Sequence, residues 1–336
     1  MKILFDHPDP FLLAHGGRQI QIEQTKAALE KLGVGVDFLR WWDDRQVGDL
    51  IHYFGRPSHL YIRKAHAKRK RVVLSELLGS LGEKPACLRA AQRMIINLAR
   101  RILPEDSNSG RAWDAYKLAD ACIALTSWEG RLMVEIFSAP VEKVHVVPNG
   151  VEPVFFNTAP VSRGPWLVCT AIITARKRVL ELAKAAVLAK TPIWFIGKPY
   201  AEDDPYARRF LETARNNPRS VRYEGAIENR DQLAQAYREA RGFVLLSLGE
   251  SVSLSALESA ASACPLLLSD LPWAHCVFGE SVCYCSIRAD TQETARILRH
   301  FYDQASTLPP PPRPASWEDV ARQLMSIYQA MLNTAW

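Results

Sequence analysis

Short apolar, β-branched runs alternate with stretches of helical spacing along most of the chain. Residues 3–5, 34–39, 50–54, 72–74, 122–125 and 144–147 read as strands. After the first of them comes a Gly-Gly loop, then apolar positions at helical spacing over residues 19–32, stopped by Gly33. The pattern pauses at Pro148, Asn149 and Gly150, and a turn-rich stretch runs on to Gly164 and Pro165. It then restarts, with strands expected over residues 166–173, 193–196, 221–223, 243–246, 266–268 and 282–284. Strands spaced by helices predict parallel βαβ units, so the expected fold class is α/β with two parallel-sheet domains. Prolines at 309–312 and 314 form a stiff linker. Ser316 then caps a helix with Asp319 three residues on, and its stripe of Trp317, Val320, Leu324, Tyr328 and Met331 needs a surface to bury against. The expected division is 1–155, 156–308, and a returning segment 309–336.

Length agrees with this division, since 336 residues exceed the ~250–300 that one core usually serves. A composition 48% hydrophobic and 23% charged excludes disorder as the main state. No apolar run reaches the ~18 residues of a membrane-spanning helix. The N-terminal residues meet charge and proline too early for a signal peptide, and seven cysteines without a C-x-x-C pair read as reduced thiols. The expected location is therefore cytoplasmic. Charge alters the picture more. Residues 56–101 hold twelve Lys/Arg and two acids, a net +10, while the remaining thirty basic and thirty-four acidic residues give −4.

Two segments of the second half combine residues suited to anion chemistry. The apolar strand at 243–246 runs through Ser247, Leu248, Gly249 and Glu250 into a helix that Ser251 or Ser253 would cap. Free N–H groups and the positive dipole end make such a terminus an anion site, and ligands of open α/β sheets bind at strand carboxyl ends. Glu250 and Glu258 bracket the terminus, at most about 12 Å apart along the axis. That span suits a nucleoside diphosphate sugar. It is equally met if Glu250 only favours the helix dipole and Glu258 is a solvated helix residue. In the second segment, Thr174, Arg176, Lys177 and Arg178 precede the helix of residues 179–189. Cations at a helix start are disfavoured by ~0.3–1 kcal/mol each. Either a bound diphosphate reverses that sign or the three are solvated loop side chains.

These segments, with their order and spacing, resemble the retaining glycosyltransferases of family 4, which have the GT-B fold of two Rossmann-like domains. The similarity covers roughly residues 1–300. It is carried by the Glu-x7-Glu spacing of Glu250 and Glu258, Lys177 before a helix, the Gly16-Gly17 loop, the segment Ala119 to Ser127, and Val144 to Val151 with its Pro-Asn-Gly. The resemblance implies that Glu258 binds the nucleotide ribose and Glu250 the donor sugar. It implies that backbone N–H groups of Val252, Ser253 and Leu254, with Ser251, line the sugar and phosphate, and that Lys177 neutralises the leaving diphosphate. It also implies a UDP- or GDP-linked sugar as donor, a saccharide or lipid-linked acceptor, no cofactor, and a C-terminal helix crossing back to the first domain. Ile172 stands where the family usually has an Arg, which leaves Arg176 or Arg178 to replace it. Ser75-Glu76 stands where many members have a His. No Asp-x-Asp occurs, so no metal is expected. A catalytically weak nucleotide-sugar-binding relative, or a membrane-surface interaction protein on the same scaffold, fits these departures.

The basic segment offers an acceptor or membrane side. Arg69 and Lys70 belong to a charge run before a strand, and in the helical stretch 88–103 Arg89, Arg93 and Arg100 share one face. The opposite face, with Leu88, Ala91, Ile95, Leu98 and Ile102, is expected to pack. The cationic side either is solvated or meets an anionic membrane surface, where each Lys/Arg adds ~1 kcal/mol. Nucleic acid is not an expected partner, because no recognition motif accompanies the run. Trp41 and Trp42 read as buried packing rather than a sugar platform, and His52 as structural, whereas His15 is a candidate to reach the ligand site.

Overall fold

The computed structural model describes residues 1–334 other than 9, 13–15, 83, 105–106, 108–110, 158–160 and 202. His15 lies outside them. Each of the twelve apolar runs expected as a strand coincides with one. Six form a wholly parallel sheet: β1 (Lys2–Asp6), β2 (Gly35–Phe38), β3 (Leu50–Phe54), β4 (Arg71–Ser75), β5 (Ala121–Ala124) and β6 (Val144–Val146). Their order is β2-β1-β3-β4-β5-β6. Six more form a second parallel sheet: β7 (Leu167–Thr170), β8 (Ile193–Ile196), β9 (Val221–Tyr223), β10 (Gly242–Leu245), β11 (Leu266–Ser269) and β12 (Cys283–Cys285), ordered β12-β11-β10-β7-β8-β9. Helices connect successive strands of each sheet except β2 and β3, which a loop joins, so each unit is Rossmann-like. The strand expected over 166–173 ends early, at Thr170. There Gly197 (φ +146°) approaches so closely that a Cβ would stand 2.0 Å from the Ala171 carbonyl oxygen, and the chain turns out of the sheet.

The chain divides into Met1–Gly150 with Ala315–Trp336, and Val151–Pro314. The crossing points differ from the expected 155 and 309 for a packing reason. Phe155 is fully buried in the second unit and its carbonyl accepts from Ser262 Oγ at 3.2 Å. The proline linker also lies on that unit, with Arg313 stacked 4.7 Å from the Phe156 ring.

The C-terminal helix Trp317–Asn333 carries a full capping box from Ser316 and Asp319 and packs on the helix Gly17–Lys31 of the first unit. Gly150 admits its start, since a Cβ there would lie 2.5 Å from Trp317 backbone atoms. The helix buries Tyr328, whose hydroxyl meets His52 Nδ1 at 2.6 Å, while His52 Nε2 meets Ser75 Oγ at 2.6 Å. Burial holds the His52 pKa down at about 3, against 6.5 for a free imidazole. The native unit therefore binds fewer protons than the unfolded chain between these values. Its contribution is present above pH 6.5 and is lost as pH falls toward 3, at about 1.4 kcal/mol per pH unit. Thermal melts from pH 7 to 4 should show this slope, and His52→Gln should flatten it; an equal slope in the variant would show that other groups carry the acid sensitivity.

Candidate functional site: the switch point of the second sheet

Strand order reverses between β7 and β10, because the chain leaves the two neighbouring strands in opposite directions. The loops after these strands flank the crevice where open α/β sheets bind ligands. They are residues 171–178 and 246–253, the two segments that composition singles out. A backbone bond from Leu248 N–H to the Arg176 carbonyl (2.8 Å) ties them together.

Glu250 is the meeting point. Its Oε1 accepts a hydrogen bond from Lys177 Nζ and one from Arg176 Nη1 at 3.2 Å. Arg176 also donates to the Gly249 carbonyl at 2.6 Å. The Lys177 and Glu250 side chains are only 11% and 10% exposed. An ion pair so poorly hydrated interacts more strongly than one on the surface. Arg178 takes a separate path. It sits in the left-handed region at φ 53° and starts the helix Val179–Ala189. Its guanidinium donates to the Ile287 and Ala289 carbonyls at 3.1 and 3.2 Å, which fastens the loop after β12. Of the two candidates to replace the Arg absent at Ile172, Arg176 is the one beside Lys177.

Ser253 caps the helix Leu254–Ala261, its Oγ accepting from Ala256 N–H at 3.3 Å. That decides between the two serines. Val252 and Ser253 are buried and Leu254 and Ser251 half-buried at this terminus, and Thr174 is half-buried at the start of the short 3-10 turn Ala175–Lys177.

Glu258, inside the same helix, is buried rather than solvated. Arg230 donates to its Oε1 at 2.5 Å and the Tyr237 hydroxyl to its Oε2 at 3.3 Å. Arg230 also donates to Glu152 and stacks 4.7 Å from the Phe155 ring. Burial raises the Glu258 pKa, Arg230 lowers it in part, and the Glu152 charge raises it again. Sequence reading missed Arg230, Glu152 and Tyr237. Arg230 follows the Asn229 cap of the helix Arg230–Glu239 and looks like any first-turn surface residue; no local spacing links it to a carboxylate 28 residues on.

In the first unit, Gly16 (φ +141°) and Gly17 open the helix after β1. Glu76, after β4, accepts from the Tyr116 hydroxyl, and burial raises its pKa against the nearby Arg56 charge. Trp41 and Trp42 correct the expectation of packing, being 74% and 84% exposed. Trp41 Nε1 donates to Asp6 Oδ1 at 3.3 Å, at the end of β1.

The five cations assigned to an acceptor or membrane side do not form one patch. Arg69 and Lys70 immediately precede β4, on the edge where strands begin, and Lys70 donates to the Gly48 carbonyl just before β3. Arg100 turns inward. Its guanidinium bonds Asp114 Oδ1 (2.6 Å), Ser138 Oγ (2.9 Å) and the Phe137 carbonyl (2.8 Å). Arg93 is exposed on the helix Ala86–Ile102, while Arg89 is half-buried and donates to the Lys84 carbonyl.

Residues 164–304 match the family model described as Glycosyl transferases group 1. The fold is GT-B. A sucrose-phosphate synthase from Thermosynechococcus elongatus aligns over 99% of this chain and 100% of its own, with TM-score 0.68 and 14% identity. HepE of Anabaena, solved with UDP, aligns over 98% and 100%, with TM-score 0.67 and 14% identity. A glycosyltransferase of Rickettsia africae aligns over 99% of both chains, with TM-score 0.66 and 12% identity. The search of curated protein sequences finds no match. The matched stretch 164–304 contains Lys177, Arg176, Glu250, Glu258 and Arg230, the whole of the charged cluster described above except Glu152.

Proposed function

We propose that the protein is a retaining, family 4-type glycosyltransferase. It moves a hexose from a UDP- or GDP-linked sugar to a saccharide or lipid-linked acceptor, without a metal ion. The convergence of Lys177, Arg176 and Glu250 at the switch point, beside the helix that holds Glu258, carries this reading. Supporting it are the group 1 match and the neighbour HepE, which was solved with UDP-glucose.

An incoming diphosphate competes with Glu250 for Lys177 and Arg176. The released Glu250 then accepts hydroxyls of the donor sugar, so donor binding and site opening are one exchange of partners. N–H groups at the helix terminus and the two cations stabilise the negative charge that grows on the leaving phosphate, a fixed-dipole form of catalysis. The anomeric C–O bond to phosphate breaks and the acceptor oxygen bonds the same face. The acceptor proton passes to the leaving phosphate oxygen. Within the basic segment 56–101, the helix Ala86–Ile102 carries the acceptor side against an anionic membrane surface on the cytoplasmic face, in a bacterial surface-polysaccharide or glycolipid pathway. Ile172, half-buried where the family has an Arg, favours a second reading, a binder of nucleotide sugars with weak turnover.

A thermal-shift screen of nucleoside diphosphate sugars in EDTA separates the two. At about 100 times its dissociation constant the donor should stabilise the protein by about 2.7 kcal/mol. Addition of acceptor should then release nucleotide and yield a product of unchanged anomeric configuration. Stabilisation without release supports the binder. A divalent-metal requirement or an inverted product overturns the corresponding part of the proposal.

A further inference from the structure

The helix Ala86–Ile102 presents its apolar face outward. Leu88, Met94, Ile95, Leu98 and Ile102 are between 54% and 68% exposed, and Ile96 is its one buried residue among those described. Polar groups take the inward side: Arg100 is bonded to Asp114, and Arg89 lies 5.0 Å from the Trp128 ring. Periodicity had marked the apolar face correctly; what that face meets is the reverse of the expectation. Arg93 and Arg101 flank the stripe, both exposed. A groove of about 680 Å³ runs along the helix, lined by Arg93, Met94, Leu98 and Arg101 together with Glu135 and Ile136 of the first unit.

A stripe of this size is larger than scattered surface apolar residues account for. From residue 88 to 102 it extends about 21 Å at the helical rise of 1.5 Å per residue. The helix contains four arginines and no acid. A second copy of the chain would bring Arg93 and Arg101 against their counterparts, with Glu135 the one carboxylate among the described residues lining the groove to pair them. An anionic lipid surface complements both features, because an amphipathic helix lies in the interface plane with its apolar side among the acyl chains and its cations at the phosphates.

We propose that this helix is the membrane-docking element. It inserts Leu88, Met94, Ile95, Leu98 and Ile102 below the headgroups of an anionic bilayer and holds lipid phosphates with Arg93 and Arg101. The inference deepens the acceptor side of the proposed function and rests on it for the acceptor's location; the docking itself stands on the helix. Arg69 and Lys70, on the strand-start edge, are not part of it.

The full chain is floated with vesicles of phosphatidylglycerol and phosphatidylcholine, and with phosphatidylcholine alone, while nucleotide-sugar binding is measured in parallel. Wild type should float with the anionic vesicles. Ile95→Glu/Leu98→Glu should lower vesicle affinity at least about tenfold with unchanged melting temperature and donor binding. Arg93→Ser/Arg101→Ser should lower it by about tenfold at low salt only. Arg69→Ser should leave it unchanged. Flotation that survives Ile95→Glu/Leu98→Glu overturns the proposal, as does a wild type that ignores vesicles. So does a wild-type dimer, seen by light scattering, that this double variant dissociates without any lipid binding. Loss of donor binding with flotation intact would count against the proposed function alone.

Discussion

Lys177→Ala is expected to lower kcat for sugar transfer by about 10²–10³, the effect of removing one donor from a preorganised anion-stabilising site. The loss should fall mainly on kcat, because charge builds on the leaving phosphate only as the anomeric bond breaks. The variant should fold, since Glu250 keeps its bond from Arg176 at 3.2 Å. A structural account of Lys177 is available, because its ammonium pairs with a carboxylate that is itself nearly buried. The double variant Lys177→Ala/Glu250→Gln separates the accounts. If Lys177 serves only to neutralise Glu250, Lys177→Ala lowers the melting temperature and removing both charges restores it. If Lys177 meets the diphosphate, Lys177→Ala melts as wild type does and is nonetheless slow. Steady-state kinetics with melting curves on wild type and both variants decide it. A rate within about threefold of wild type for Lys177→Ala removes it from the mechanism.

The strands were legible in the sequence because the central parallel strands are buried on both faces and read as short apolar runs, as in residues 243–246 or 266–268. The candidate cluster was legible for a related reason. Both loops follow apolar strands, so Lys177 and Glu250, 73 residues apart, could each be assigned to a strand carboxyl end; that β7 and β10 are neighbours, which brings the two together, comes from the sheet order. Three things were not legible. Periodicity fixes which residues of the helix Ala86–Ile102 share a face, but the direction that face looks depends on what the rest of the unit offers. Asp114, Ser138 and the Phe137 carbonyl offered polar partners to Arg100, so that side of the helix went inward and the apolar face outward. Trp41 and Trp42 were misread by the same logic, since large aromatics bury only where a neighbour covers them. Finally, side-chain networks spanning different loops leave no spacing signature, which is why Arg230, Glu152 and Tyr237 were missed around Glu258.

Arg230→Met is expected to be the most destabilising of these single substitutions. One guanidinium serves Glu152 and Glu258, and Glu258 is buried with only Tyr237 as a further partner in the cluster. Removing it leaves a buried carboxylate beside a second one, and breaking such a pair costs about 3–5 kcal/mol. Arg230 keeps some exposure, so the low end, about 3 kcal/mol, is expected, or a fall in Tm of about 6–12 °C for a unit of this size. The pH dependence gives the decisive sign. The Glu258 pKa is already raised by burial and held back by Arg230; without the arginine it rises further. A carboxyl with a raised native pKa binds its proton more tightly folded than unfolded. Its native form is therefore favoured at low pH and loses that advantage as pH climbs through the native pKa. The deficit of Arg230→Met against wild type should be small near pH 5 and grow toward pH 8. Donor nucleotide should close part of the gap at pH 8, since ribose hydroxyls offered to Glu258 replace hydrogen bonds that Arg230 supplied. Calorimetric melts at the two pH values, with and without nucleotide, provide the check. A deficit equal at both would mean that Arg230 acts through its stacking on Phe155 rather than through charge, and a gap that nucleotide leaves untouched would remove Glu258 from the ribose site.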